Sequence, residues 1–120
     1  MIPLVYQSSY FDCARACALM IAPDLKPPKP NLNGLTPKRF AAWAEASGLL
    51  VRQGDLSIED LVPGSIVLIE KPGEVSHYVV VTRVSRTHVH VNDPWDGRKA
   101  YPKKTFRSIL KWGMICRSAT

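Results

Sequence analysis

The sequence predicts an α+β domain, with N-terminal helices packed on a C-terminal antiparallel sheet. Two observations carry this expectation. Apolar positions in the first half recur near helical spacing, whereas the second half breaks into short Val- and Ile-rich runs separated by turn residues. Helices first and strands second is the order of an α+β fold rather than of alternating βαβ units.

The elements follow in chain order. Residues 12–22 hold small and unbranched side chains without Gly or Pro, so they read as a helix. Asp12 is its expected N-cap, because a carboxylate there can accept from unpaired backbone N–H groups. Pro23, Pro27, Pro28 and Pro30 then enforce a loop. Thr36-Pro37 opens a second helix, with Phe40, Trp43, Ala44 and Leu49 near helical spacing and Gly48 as its expected end. Ser57 to Leu61 carries a capping-box pattern and reads as a short helical turn. After Pro63-Gly64, strands are expected over 65–70, 76–83 and 87–92, the last two forming a hairpin. A helical turn over 106–112 and a final strand over 113–117 complete the reading.

Length and composition set the frame. At 120 residues the chain is expected to form one domain over 1–120. Hydrophobic residues at 46% against 22% charged place it among globular rather than disordered chains. No apolar run approaches the roughly 20 residues that span a bilayer. The start, Met1 to Gln7, lacks the basic and apolar regions of a signal peptide. A cytoplasmic protein is therefore expected. Three cysteines, two of them four apart in one helix, favour free thiols over a disulfide framework. The net charge of +6 draws partly on Arg98, Lys99, Lys103, Lys104, Arg107, Lys111 and Arg117. No nucleic-acid motif accompanies that cluster, so a solvated basic face is favoured over nucleic-acid binding.

Chemistry is suggested by where four residue types fall. Cys13 lies in the first turn of a helix, where the positive end of the dipole favours a thiolate. His77 starts a strand, and Asp93 follows the next strand of the same hairpin, so sheet pairing can bring them together. A thiol needs a base to take its proton, and the base needs a partner to fix its tautomer. Gln7, six residues before Cys13, can offer its side-chain N–H₂ to an oxyanion. Each signal is weak alone; their joint order is what points to a nucleophilic site.

The segment Gln7-Ser-Ser-Tyr-Phe-Asp12-Cys13-Ala-Arg-Ala16-Cys17 resembles the start of the bacteriocin-processing, double-glycine leader peptidases. Ser76-His77-Tyr78-Val79-Val80-Val81 is similar to their histidine strand, and Asn92-Asp93-Pro94-Trp95-Asp96-Gly97 to their aspartate turn. The resemblance implies a papain-like cysteine peptidase fold. It further implies Cys13 as nucleophile, His77 as base and then acid, Asp93 as orienting carboxylate and Gln7 as oxyanion donor, with a depressed thiol pKa. The implied partner is a protein or leader-peptide substrate, within a larger assembly or beside a separately encoded transporter. No cofactor is implied. Ala14 and Ser76 stand where the family commonly has Gly, and their side chains are expected to narrow the cleft.

Rival readings attach to the same residues. Cys13 and Cys17 with His77 or His90 offer ligands zinc accepts, but the short Cys-x-x-Cys knuckle is missing, and no metal is expected. Cys17 and Cys116 read as core thiols, and His88 and His90 as solvated strand residues. The rival from another class is a catalytically silent peptidase-fold module that binds a peptide or protein. Trp95 and Trp112 are candidates for an exposed partner surface.

Overall fold

The computed structural model describes residues 2–9, 12–29 and 34–118. Met1, Tyr10 and Phe11 of the N-terminal motif, and Pro30 of the proline loop, lie outside the described residues. Helix α1 spans Cys13–Ile21 and α2 spans Pro37–Ala46. They are followed by β1 (Leu49–Gly54), a 3-10 turn (Ile58–Asp60), β2 (Ile66–Ile69), β3 (His77–Val84) and β4 (His88–Asp93). The chain ends in β5 (Gly97–Pro102), α3 (Lys103–Ile109) and β6 (Leu110–Ser118). The six strands form one antiparallel sheet in the order β1-β6-β2-β3-β4-β5. This is the expected α+β arrangement of helices on an antiparallel sheet.

The continuous apolar runs of β2 and β3 have a simple cause: both faces of these central strands are covered. Successive side chains point to opposite faces. Ile66, Tyr78, Val80 and Met114 therefore meet α1 and α2 through Ala14, Cys17, Ala18, Phe40 and Ala44. Val67, Ile69, Val79, Val81, Val89 and Val91 turn the other way, onto Phe106 and Ile109 of α3 and Ile58 of the 3-10 turn. Each such aliphatic side chain contributes about 1.5–3 kcal/mol by leaving water. Tyr78 anchors the first layer. Its ring stands edge-on to Phe40 (5.0 Å) and Trp112 (6.0 Å), and its hydroxyl donates to the Leu35 carbonyl at 2.6 Å.

Several local expectations need correcting. The Asp12 side chain does not cap α1; it turns away to accept from Ser8 and Arg15. Thr36 does cap α2, accepting from the Arg39 N–H at 3.3 Å. Leu49 opens β1 instead of closing α2, because the helix ends at Ala46 and Gly48, at φ +90°, turns the chain out of it. Helix α3 begins at Lys103, directly after Pro102, and β6 starts at Leu110. Strands β1 and β5 were not expected. Both are sheet edges with charged, partly solvated side chains, Arg52 in one and Arg98 and Lys99 in the other, so the apolar run of β1 is only Leu49 to Val51 and β5 has none. Trp112 is buried at 8% exposure in the core, which leaves only Trp95 of the two surface candidates on the surface.

Candidate active site

The antiparallel β3–β4 hairpin brings the start of one strand beside the end of the next. His77 is the first residue of β3 and Asp93 the last of β4. His77 Nε2 and Asp93 Oδ2 lie 2.8 Å apart, with the carboxylate wholly buried and the imidazole about a quarter exposed. The other carboxylate oxygen, Oδ1, accepts the backbone N–H groups of Trp95 (2.8 Å) and Asp96 (3.2 Å). Both oxygens are thus occupied, and the side chain is fixed against rotation. Burial alone pushes the Asp93 carboxyl up, but the His77 hydrogen bond, the two N–H donors and the His77 charge outweigh it. The net direction is below the usual carboxylate range.

Cys13 is the first residue of α1, which packs on β3. The backbone N–H of Tyr78, the residue after His77, faces the Cys13 sulfur, as do the N–H groups of Ala14 and Cys13 itself. These donors lower the thiol pKa, but burial and the Asp93 charge raise it, and the raising effects win. The low thiol expected from the helix end is therefore corrected: the N-terminal donors are present, yet desolvation exceeds them. The other two thiols are further from ionising. Burial pushes Cys17 well above its ordinary value and Cys116 to about 11.

Gln7 joins this group through the segment before α1. Its backbone N–H donates to the Pro94 carbonyl at 2.9 Å, and its side-chain Nε2 donates to the Ser9 carbonyl at 2.8 Å. Two residues that sequence reasoning gave no role in the site hold the segment in place. Asn92, 1% exposed, donates from Nδ2 to the carbonyls of Ile2 and Pro3, both at 3.2 Å. Asp12, 2% exposed, accepts from the Ser8 N–H (3.1 Å) and hydroxyl (2.8 Å), closing the loop between Gln7 and Cys13. Asn92 and Asp12 both sit in the quoted motifs, directly before Asp93 and Cys13; that adjacency was the only signal available for them.

Gln7, Cys13 and His77 line one cleft of about 340 Å³, together with Gly34, the 73–76 loop, Trp95 and Asp96. Ser76 lines it as expected. Ala14 does not; it is buried in the core beneath α1, so its methyl group cannot narrow the cleft. Cys17 lies in that same core, and His88 and His90 stand on β4 with their rings 6.3 Å apart. Among the described residues no three His, Cys, Asp or Glu side chains converge as a metal would require.

The sheet, the helix that presents a thiol and the hairpin that joins His to Asp together describe a cysteine peptidase architecture. The chain belongs to the Peptidase C39 family, matched over residues 1–117. In fold it is similar to the peptidase domain of Streptococcus ComA, a bifunctional ABC transporter of a quorum-sensing pathway. That likeness has a TM-score of 0.82 at 20% identity and covers 98% of this chain and 99% of that one. It is equally similar to a double glycine motif protease from an AMS/PCAT transporter, solved with its leader peptide. There the TM-score is 0.82 at 18% identity, over 99% of this chain and 93% of the other. The peptidase domain of Streptococcus mutans ComA gives 0.75 at 24% identity, over 95% and 98%. No curated protein matches the chain. Among the described residues no helix is long and apolar enough to cross a membrane.

Proposed function

We propose that the chain hydrolyses a peptide bond in a specific protein or leader-peptide substrate, with Cys13 as nucleophile. The observation that carries this reading is the 2.8 Å His77–Asp93 pair, set on the same cleft as Cys13 and Gln7. Asp93 engages Nε2 of His77, which leaves the opposite ring nitrogen, Nδ1, as the proposed base for the thiol. Attack forms the S–C bond as the thiol proton passes to Nδ1. The Gln7 side-chain amide is the proposed donor to the oxyanion. Collapse breaks the C–N bond, and His77 returns the proton to the leaving amine. Water, deprotonated by His77, then cleaves the thioester and restores the thiol.

The neighbouring structures support a leader-type substrate and a transporter as the partner, since one is a peptidase domain of an ABC transporter and the other a transporter protease solved with its leader peptide. One feature favours the silent binding module instead: burial pushes the Cys13 thiol above its ordinary value. The two readings separate on site-resolved alkylation of Cys13 by iodoacetamide across pH, in wild type and His77→Ala. The peptidase reading expects Cys13 to label faster in wild type than in His77→Ala at each pH, because the histidine takes the thiol proton. Labelling indifferent to His77, or substrate cleavage retained by Cys13→Ala, would sink it.

A further inference from the structure

The charge of the cleft runs against the charge of the molecule. The chain carries a net charge of +6, yet among the described residues the charged side chains lining the cleft beside Cys13 and His77 are the carboxylates of Glu74 and Asp96, with no Lys or Arg. Asp93 stands behind them, and its charge reaches the Cys13 thiol. The two lining carboxylates differ in what surrounds them. Asp96 is partly neutralised, with Lys99 Nζ at 3.2 Å and Lys71 Nζ at 4.0 Å. Glu74 is solvent-exposed and, among the described residues, makes no direct ion pair, although Lys71 lies near enough for the two charges to interact. It is presented by a tight turn in which its N–H donates to the Lys71 carbonyl at 3.0 Å.

A second feature of the same cleft points to the same ligand chemistry. Trp95 lines it with 59% of its surface exposed, although it sits directly after the buried Asp93-Pro94 pair. An indole face attracts a guanidinium or ammonium group, and its apolar body accepts the methylene stem of Arg or Lys. A carboxylate and an exposed indole on one cleft are complementary to a basic side chain and repel or ignore an acidic one.

We propose that the cleft selects a substrate segment carrying a Lys or Arg side chain close to the reacting carbonyl, with Glu74 and Trp95 as the residues that read it. This rests on the peptidase reading of the cleft, which it deepens. Glu74 and Trp95 set specificity and take no part in bond making.

The test uses charged thiol reagents, because they report the field at Cys13 without any need for turnover. Rates of Cys13 modification by the trimethylammonioethyl and sulfonatoethyl methanethiosulfonates are measured site by site, each normalised to its rate with a small free thiol. The expected cation-to-anion preference is about five- to tenfold at low salt, as for a unit charge within a few ångströms of a solvated cleft. It falls towards one in Glu74→Gln and at high salt. In parallel, peptide pairs differing only by Lys or Glu on either side of the cleaved bond are compared by kcat/KM with wild type, Glu74→Gln and Trp95→Leu. A normalised ratio near one, or peptides cut without regard to charge, overturns the charge selection and leaves the peptidase reading intact. A cation preference that Glu74→Gln removes, with no peptide cut at all, keeps the selection and removes the hydrolytic reading. Thermal unfolding of both variants verifies that the fold is retained.

Discussion

Gln7 and Pro94 are joined by a 2.9 Å backbone hydrogen bond, which ties the proposed oxyanion donor to the turn that fixes Asp93. The bond links two segments far apart in sequence, and one residue of β4 reinforces it. Asn92 holds the carbonyls of Ile2 and Pro3 just upstream, so the N-terminal segment is pinned at both ends along the rim of the sheet. The proposed donor and orienting groups of the site therefore move as one body.

Removing that clamp should separate activity from the His–Asp pair. Asn92→Ala leaves two carbonyls without their buried donor, which costs about 1–3 kcal/mol. The expected outcome in urea unfolding is a lower midpoint with an unchanged m-value. Turnover should fall, while the His77 dependence of Cys13 alkylation persists because β3 and the Asp93 turn are untouched. Equal loss of both readouts would show that Asn92 supports the whole site and not the Gln7 segment alone.

Gln7 itself is tested by Gln7→Ala. Loss of one oxyanion donor costs about 10²–10³ in kcat in a well-organised acyl-transfer site. The KM should change little, because the donor strengthens its bond only as charge develops. Alkylation of Cys13 by iodoacetamide forms no oxyanion and should proceed at the wild-type rate. A matching fall in alkylation would mean that Gln7 acts on the thiol and not on the carbonyl oxygen.

The legible part of this site and the illegible part differ in physical kind. His77 and Asp93 could be paired from the sequence because a hairpin of Val-rich strands has only one way to bring its two ends together, and Asp-Pro marks where it stops. Cys13 could be placed because a helix start is a local signal. Asn92 was given no role and Asp12 the wrong one, as N-cap of α1, since each acts on a segment with no periodicity of its own. The edge strands β1 and β5 were hidden for another reason: a strand with one solvated side and charged residues carries a weak pattern. The balance of effects on the Cys13 thiol was also beyond sequence, because helix position is local and burial is a property of the assembled fold.

The Asp93 shift makes a prediction about acid stability. Its folded pKa lies below the ordinary 3.8, so the folded state holds the carboxylate more tightly than the unfolded chain does. The stabilisation is present above 3.8 and is lost as pH falls through the folded value. Wild-type unfolding free energy should therefore drop on acidification below about pH 4, while Asp93→Asn should show a shallower drop over that range. The same variant presents an amide where His77 needs an acceptor, and activity should fall by about 10²–10⁴ at neutral pH. An unchanged acid slope would show that the pair adds nothing to stability.

At the turn itself, Gly97→Ala probes conformational strain. Gly97 has φ +89°, and a Cβ there would meet the Tyr6 hydroxyl at 3.0 Å. The positive φ costs a non-glycine residue about 1–2 kcal/mol, whatever the space around it. Tyr6→Phe removes the hydroxyl and so relieves the contact without relieving the backbone. The double variant should recover only the steric part of the loss, leaving a residual cost of about 1 kcal/mol or more. Complete recovery would place the whole effect in the Tyr6 contact, and no recovery would place it in the backbone.

At alkaline pH the buried thiols should govern stability. Cys116 is pushed up to about 11 by burial, against 9.0 for an ordinary thiol. Between these values the unfolded chain loses its proton and the folded one keeps it, so stability is full below pH 9 and falls as pH approaches 11. Allowing for its partial solvent access, the loss from Cys116 is about 1–2 kcal/mol. Cys116→Val keeps an apolar side chain in β6 and removes the titration, so its unfolding midpoint should decline less steeply across this window. Cys17, higher still and wholly buried, adds a separate loss in the same direction that Cys116→Val leaves in place. If Cys116→Val and wild type lose stability in parallel from pH 9 to 11, Cys116 does not hold its proton as its burial requires.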